Sequence, residues 1–232
     1  MTETTVETKR PTFPHRASGS IADTSWCAPR QAPDQRFARL LGDAAWHTLP
    51  ARVRYRFSRH LAPGETRLFR GRVVSTRLSL AGRIFAQLAR VAGSPLPETD
   101  GASGPATVLV TEAPTLGGQV WTRTYTRARN FPQTINSVKR FSGPTGLEEY
   151  LGHGLVMRLR LAAEDGCLVF RSAGYDVLVA GQRIPLPRWL TPGTCTITHR
   201  DLGGGVFAFT LGLEHAWLGE LVHQVAHFEE VQ

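Results

Sequence analysis

The sequence predicts an α+β domain in which a single curved antiparallel sheet forms a half-barrel around a cavity. This arrangement resembles helix-grip or lipocalin-like folds, with two or three helices at the N-terminal side. Three observations carry the prediction. Apolar residues at helical spacing concentrate between Gln35 and Gly93, recurring later only in "LGELVHQVAH", where Leu218, Leu221, Val222 and Val225 leave helix or strand open. From Ala106 onward the chain is a succession of runs that alternate apolar and polar residues, the period-two mark of strands that bury one face. Turn residues separate those runs at short intervals, as in antiparallel sheets of roughly seven to nine strands.

Residues 1–34 are rich in Thr, Pro, Ser and charge and lack apolar periodicity, which predicts a disordered extension, with Trp26 placed to tack down its end. The domain then spans residues 35–232. Phe37, Leu40, Leu41, Ala44 and Ala45 recur at helical spacing, and Leu49-Pro50 separates them from a second amphipathic stretch, "ARVRYRFSRH". The alternation in "TRLFRGRVVSTRL" predicts the first strand over Thr66–Leu78. "SLAGRIFAQLARVAG" predicts a helix with Leu80, Ile84, Leu88 and Val91 on one apolar face and Gly93 as its stop. "SPLPETDGASGPA" reads as a loop. "ATVLVTEAP" and "QVWTRTYTR" form a hairpin around "PTLGG". Strands follow in "QTINSVKRFSG", "GLVMRLRLAAEDG", "CLVFRSAG", "YDVLVAGQRIPLP", "GTCTITHRDLGGG", "VFAFTLGLEH" and "GELVHQVAHFEEV". Asp165-Gly166 and Gly203–Gly205 sit where hairpins turn, and Pro185, Pro187 and Pro192 confine "IPLPRWLTPG" to a loop or sheet edge.

Composition narrows the class. Hydrophobic content of 41% with 20% charged residues is ordinary for a globular protein. No apolar run approaches the roughly 18–20 residues that span a bilayer. The N-terminus has no apolar signal core, so a cytoplasmic protein without membrane association is expected. Cys27, Cys167 and Cys195 form no CxxC pair, which argues against a disulfide framework or a zinc ribbon. The latter two lie in strand-like runs as small buried hydrophobes. A net charge of +8 invites a nucleic-acid reading. Yet all basic residues except Lys9 and Lys139 are Arg, spread along the chain with abundant Ala, Gly and Pro, which resembles genome composition more than a phosphate-binding face.

The stretch Gln119–Phe131 sets the main question. Trp121, Arg123, Tyr125, Arg127 and Arg129 share one strand face; Val120, Thr122, Thr124, Thr126 and Ala128 share the other. An outward Trp121 and Tyr125 would expose two large rings side by side. The aromatic face therefore turns inward at its Trp121–Tyr125 end and carries Arg123 with it. Arg127 and Arg129 then run out to solvent. A buried guanidinium needs a carboxylate or an anionic ligand. Glu149 is the first candidate partner and Glu112 the reserve. Elsewhere, Leu155, Met157, Leu159 and Leu161 oppose Arg158 and Arg160, and Phe207, Phe209, Leu211 and Leu213 form an inward set.

These landmarks also resemble a bacterial family, the domain of unknown function 4166. The resemblance runs from Phe37 to Phe228 through "LLG" at Leu40, "LP" at Leu49, His60, "FRGRV" at Phe69 and "WTRTY" at Trp121. It continues through Glu149 and Gly152 in "LEEYLGHG", "IPLP" at Ile184, "GGGVFAF" at Gly203 and "GELV" at Gly219. The chain departs from the family in lacking its tyrosine near the C-terminal strand, in "LVHQVAHF". The resemblance implies a globular domain, often fused to saccharopine-dehydrogenase-like or short-chain-dehydrogenase-like proteins, and implies no particular activity.

The candidate polar cluster is Arg123, Tyr125, Glu149, His153 and Asp176, acting in acid/base catalysis or in orienting an anion. The blander alternative is a structural Arg–Glu pair closing the end of the sheet. Trp121, Met157, Phe207 and Phe209 are the expected ligand-lining residues. His223 and His227 have an HxxxH spacing, but Gln224 stands where a zinc protease has glutamate; on a strand the two imidazoles would lie about 13 Å apart. No metal or cofactor is therefore expected, and no GxSxG elbow supports a triad hydrolase. His199 reads as a strand-end residue beside a turn. The functional expectation is a cofactor-free cavity protein for a small apolar or carboxylated molecule, with cyclisation, isomerisation or dehydration in specialised metabolism as suitable chemistry. The alternatives are a non-catalytic accessory module partnering an oxidoreductase and a nucleic-acid binder acting through the Arg/aromatic strand.

Overall fold

The computed structural model describes residues 33–91, 104–126 and 131–231. All but the last two residues of the N-terminal extension, most of the loop after Gly93, and Arg127 and Arg129 lie outside the described residues. Three short helices, α1 (Arg36–Leu41), α2 (Asp43–Thr48) and α3 (Ala51–Ser58), precede strand β1 (Thr66–Leu78) and helix α4 (Leu80–Val91). Ten strands follow: β2 (Pro105–Ala113), β3 (Gly118–Tyr125), β4 (Gln133–Arg140), β5 (Glu148–Gly152), β6 (Leu155–Glu164), β7 (Cys167–Val179), β8 (Gln182–Pro185), β9 (Thr194–Gly203), β10 (Val206–His215) and β11 (Gly219–Glu230). Among the described residues no helix is long and apolar enough to cross a membrane.

The half-barrel expectation is overturned: the sheet closes. Ten strands run in the order β6-β5-β4-β3-β2-β1-β11-β10-β9-β7, and β7 pairs back onto β6, completing an antiparallel barrel with β8 attached outside the ring. The closing element is β7. The runs "CLVFRSAG" and "YDVLVAG", read separately as two strands, are one strand of 13 residues. It pairs β6 along nearly its whole length and β9 over Cys167–Arg171, while Asp176–Val179 pair β8. Closure removes the unpaired edges that a half-barrel would expose to other chains. Strand β5 was not anticipated; it is short and opens with two glutamates, which are depleted in strands.

The registers define the two barrel ends. At one end β1 starts, β2 and β11 finish, and α1–α3 form a plug. Arg36 reaches Glu112 at the end of β2, and Arg59 reaches Glu230 at the end of β11. Phe37 and Phe57 send the plug inward, meeting each other edge-on, with Phe37 edge-on and Phe57 tilted against Phe170 of β7. Trp46, Val53, Leu147 and Leu159 complete this core. A second cluster, including Phe69, Val108, Val110, Trp121, Phe207 and Phe228, fills the space beside β1, β2 and β3.

The opposite end carries α4, the β7–β8 hairpin, the β8–β9 connection and the β10–β11 turn. The Ser79 amide donates to the Leu221 carbonyl at 3.1 Å, seating the start of α4 on β11. Here the predicted inward face of α4 is corrected. Leu80 and Ile84 point outward, whereas Gly82 and Ala86 are buried and Phe85 and Ala89 face the barrel interior. Gly82 lies so close to β11 that a Cβ there would meet the Leu221 carbonyl, so its missing side chain admits the contact.

Candidate functional site

Between the plug and α4 the barrel encloses a cavity of about 350 Å³. That volume lies within the range of small-molecule sites, and aromatic and aliphatic side chains dominate its lining. Its polar part is built by strand register. Lys139 of β4 stands opposite Glu149 of β5, Glu149 opposite Met157 of β6, and Met157 opposite Tyr175 of β7, so one rung crosses four strands. On β3, two-residue alternation turns Trp121, Arg123 and Tyr125 toward the same interior, and Trp121 pairs with Ser137 of β4.

Glu149 is the hub. Its Oε2 accepts from Lys139 Nζ at 2.6 Å, and its Oε1 accepts from Ser137 Oγ at 2.5 Å and from Arg123 Nη2 at 3.3 Å. Arg123 Nη1 also donates to Ser137 at 3.0 Å. The Lys139 ammonium lies between aromatic rings, 5.1 Å from the Trp121 centroid and 5.3 Å from that of Phe170. Burial pushes the Glu149 pKa up, but the charges of Lys139 and Arg123 and the hydrogen bonds from Lys139 and Ser137 outweigh it and hold the carboxyl at about 2. Burial lowers the Lys139 pKa, with Glu149 pulling the other way. Ionised Glu149 cancels one of the two cations. Among the described residues the cavity lining holds no second carboxylate, so with Lys139 protonated two cations share Glu149, and Arg123 is the more loosely held.

The other polar groups are neutral. Burial raises the hydroxyl pKa values of Tyr125 and Tyr175, keeping both as proton donors. Burial also pushes the Cys195 thiol up to about 12, with the Glu149 charge adding to it, so it is an inert apolar wall rather than a nucleophile. Among the described residues no three His, Cys, Asp or Glu side chains are grouped as metal ligands.

The structure brings Arg123, Tyr125 and Glu149 together in one cavity with Trp121, Met157 and Phe209. Three predicted residues are elsewhere. His153 is an exposed turn residue with φ of 47°, between β5 and β6. Asp176 follows the inward Tyr175 and turns to the outer side of the barrel wall, where it is nevertheless buried. There it accepts from Arg183 at 2.7 Å and lies 3.4 Å from Arg158, beside a Glu148 that also meets Arg183 and Arg140. Phe207 sits in the neighbouring aromatic cluster, under Arg56 at 4.0 Å and stacked on His199 at 4.7 Å. The reserve partner Glu112 is taken by Arg36. His199 is fully buried within β9, not at a strand end. His223 and His227 lie on strand β11, so the helical zinc spacing does not exist there. Sequence reading missed Lys139, Ser137 and Tyr175. Their only signal was the mixed polarity of "QTINSVKR" and the choice between Tyr175 and Asp176 as the inward residue.

The aromatic-cation stripe of β3 thus lines the interior and offers no stacking platform on the surface. A model of the family described as Domain of unknown function (DUF4166) matches residues 49–228, and the chain belongs to that family. No curated protein and no solved structure matches it.

Proposed function

We propose that this member of the DUF4166 family binds an amphipathic small molecule inside its barrel, apolar body along the aromatic wall and anionic head group at Arg123. The observation that supports this is the charge count in a closed apolar space: two cations, Lys139 and Arg123, against the single carboxylate of Glu149. An uncompensated charge in such surroundings is costly unless a ligand or solvent meets it. Arg123 is the available partner because Lys139 is already held at 2.6 Å, whereas Arg123 makes the longer 3.3 Å contact and its side chain keeps 20% exposure. A planar guanidinium matches a carboxylate or another oxyanion.

The test is a binding series by thermal shift and tryptophan fluorescence, using medium-chain and aromatic carboxylates beside their uncharged amides. Carboxylates should stabilise the wild type and quench its fluorescence. Arg123→Met should lose the preference for carboxylate over amide, by about 10–100-fold for a hydrogen-bonded charge contact, while retaining amide binding. No binding by any compound, or an unchanged preference in the variant, would sink the proposal.

A second reading, cofactor-free isomerisation or dehydration, draws on the Lys139–Glu149 dyad, a buried amine with lowered pKa beside a carboxylate. It predicts deuterium uptake from solvent at an acidic C–H of a bound carbonyl compound. Lys139→Met should abolish that uptake.

A further inference from the structure

Strand register gathers a set of exposed large apolar residues at the barrel end opposite the helical plug. Leu80 and Ile84 stand outward on α4, whose start is bonded to β11 through Ser79 and Leu221. Trp217 and Leu218 form the β10–β11 turn at that same end. Thr194 pairs with Glu214, which brings the segment just before β9, with exposed Trp189 and Leu190, to that same end. Trp189 is 67% exposed and Trp217 and Leu80 are each 78% exposed, whereas Trp46 and Trp121, the other tryptophans among the described residues, are buried. Helix α4 turns Phe85 and Ala89 toward the cavity, and its solvent side carries Leu80 and Ile84 beside Arg83 and Gln87. A helix with one buried face normally keeps the other polar.

We propose that this rim is a membrane-docking surface that seats the protein on a bilayer with anionic head groups. Tryptophan belongs at the boundary between acyl chains and head groups, with its ring in the apolar layer and its N–H among polar groups. Leucine and isoleucine on three separate elements can enter that layer without the matched pocket a protein partner must supply. Charge complements it. Arg83 on α4 and Arg188 before β9 are exposed against Glu214, while Arg77 at the end of β1 pairs with Glu220 at 3.7 Å, so the rim keeps a small positive excess. The surface is also continuous with the cavity, since Leu190 is both exposed on the rim and part of the lining. Docking of this kind needs no spanning segment, and it stands whether or not the cavity holds a ligand.

The test is co-sedimentation of the full chain with vesicles of phosphatidylcholine alone and of phosphatidylcholine mixed with phosphatidylglycerol. A parallel measurement records tryptophan quenching by brominated acyl chains. The protein should bind the phosphatidylglycerol vesicles, release with salt, and show quenching. Trp189→Ser/Trp217→Ser, with its circular dichroism unchanged, should bind at least about tenfold more weakly, the loss expected for two large apolar contacts. Absence of binding at low salt, or equal binding by the variant, would overturn the proposal. So would a concentration-dependent dimer that the same substitutions dissociate, because the rim would then belong to a second copy.

Discussion

Lys139 and Arg123 face the same carboxylate, yet their removal should have different consequences. Lys139 is completely enclosed, so Lys139→Ala strips Glu149 of its shortest cationic contact, leaving Ser137 and the longer 3.3 Å bond from Arg123. It should destabilise the barrel by about 3–5 kcal/mol, the cost of breaking a buried pair. Arg123→Ala leaves the Lys139 and Ser137 contacts in place and should cost about 1 kcal/mol or less. Denaturant unfolding of the two variants measures the difference. His199 gives a pH signature. Burial, aided by Arg56, holds its pKa at about 3 against a free value of 6.5. The unfolded chain therefore binds a proton that the folded chain refuses, and stability falls as pH drops from about 6.5 toward 3. Glu149, depressed to about 2, loses its contribution only below the free glutamate value. Between pH 7 and pH 5 the fall should thus be about 2 kcal/mol from His199 alone, and a His199→Leu variant should lack it. At this scale the sequence was partly readable. Alternation in β3 turned Trp121 and Arg123 inward and left Glu149 as the natural partner. Parity failed in β7 because Arg158 pairs with Gly174 and Leu159 with Ser172, so Ala173 is an extra residue. That bulge moves the inward set from Phe170 to Tyr175, and Asp176 goes out. Lys139 was missed because a lone lysine in a strand is ordinarily a surface residue.

Among the elements, α4 shows most clearly what periodicity leaves open. Apolar residues at helical spacing identify the helix, but two apolar faces compete, and Gly82 decides between them by letting the helix lie on β11. Gly82→Ala puts a methyl group against the Leu221 carbonyl, a backbone atom that cannot rotate away. It should lower stability by about 1–3 kcal/mol, as overpacking does. It should also speed ligand release, because Phe85 and Ala89 belong to the cavity lining. Thermal unfolding and stopped-flow displacement would check the two effects. Strand β11 shows the opposite case. Its HxxxH spacing fits either period, and pairing with β1 and β10 settles it as a strand.

Closure belongs to the molecule as a whole and no single run of residues carries it. The positions and turns of most strands were readable, but the expected seven to nine became eleven, and an open sheet and a barrel share the same alternation. What separates them is that β7 is long enough to reach β6 on one side and β9 on the other. The ring also joins the first strand to the last, because β1 pairs β11 from Phe69–Glu230 to Leu78–Val222. Such long-range pairing should make refolding slow, on the order of milliseconds to seconds by stopped-flow fluorescence. A chain ending before Gly219 should give no cooperative unfolding transition.

The departure of β7 from β9 has a mechanical consequence. Their ladder runs from Cys167 to Arg171; above it the wall is held by side chains, the Ser172–Cys195 hydrogen bond and the connection after β8. Tyr175, Leu186, Leu190, Pro192 and Cys195 all line the cavity along this line. A guest crossing the wall here would part side chains and the flap after β8 rather than a ladder of backbone bonds. Pro185, Pro187 and Pro192 restrict the backbone of that segment, and the Leu186 amide holds it to the Tyr175 carbonyl at 2.8 Å. Amide exchange of Arg188–Gly193 should accordingly be fast in the empty barrel and slow once the cavity is filled. The seam above Arg171 is then the part of the wall whose parting breaks the fewest backbone bonds between β7 and β9.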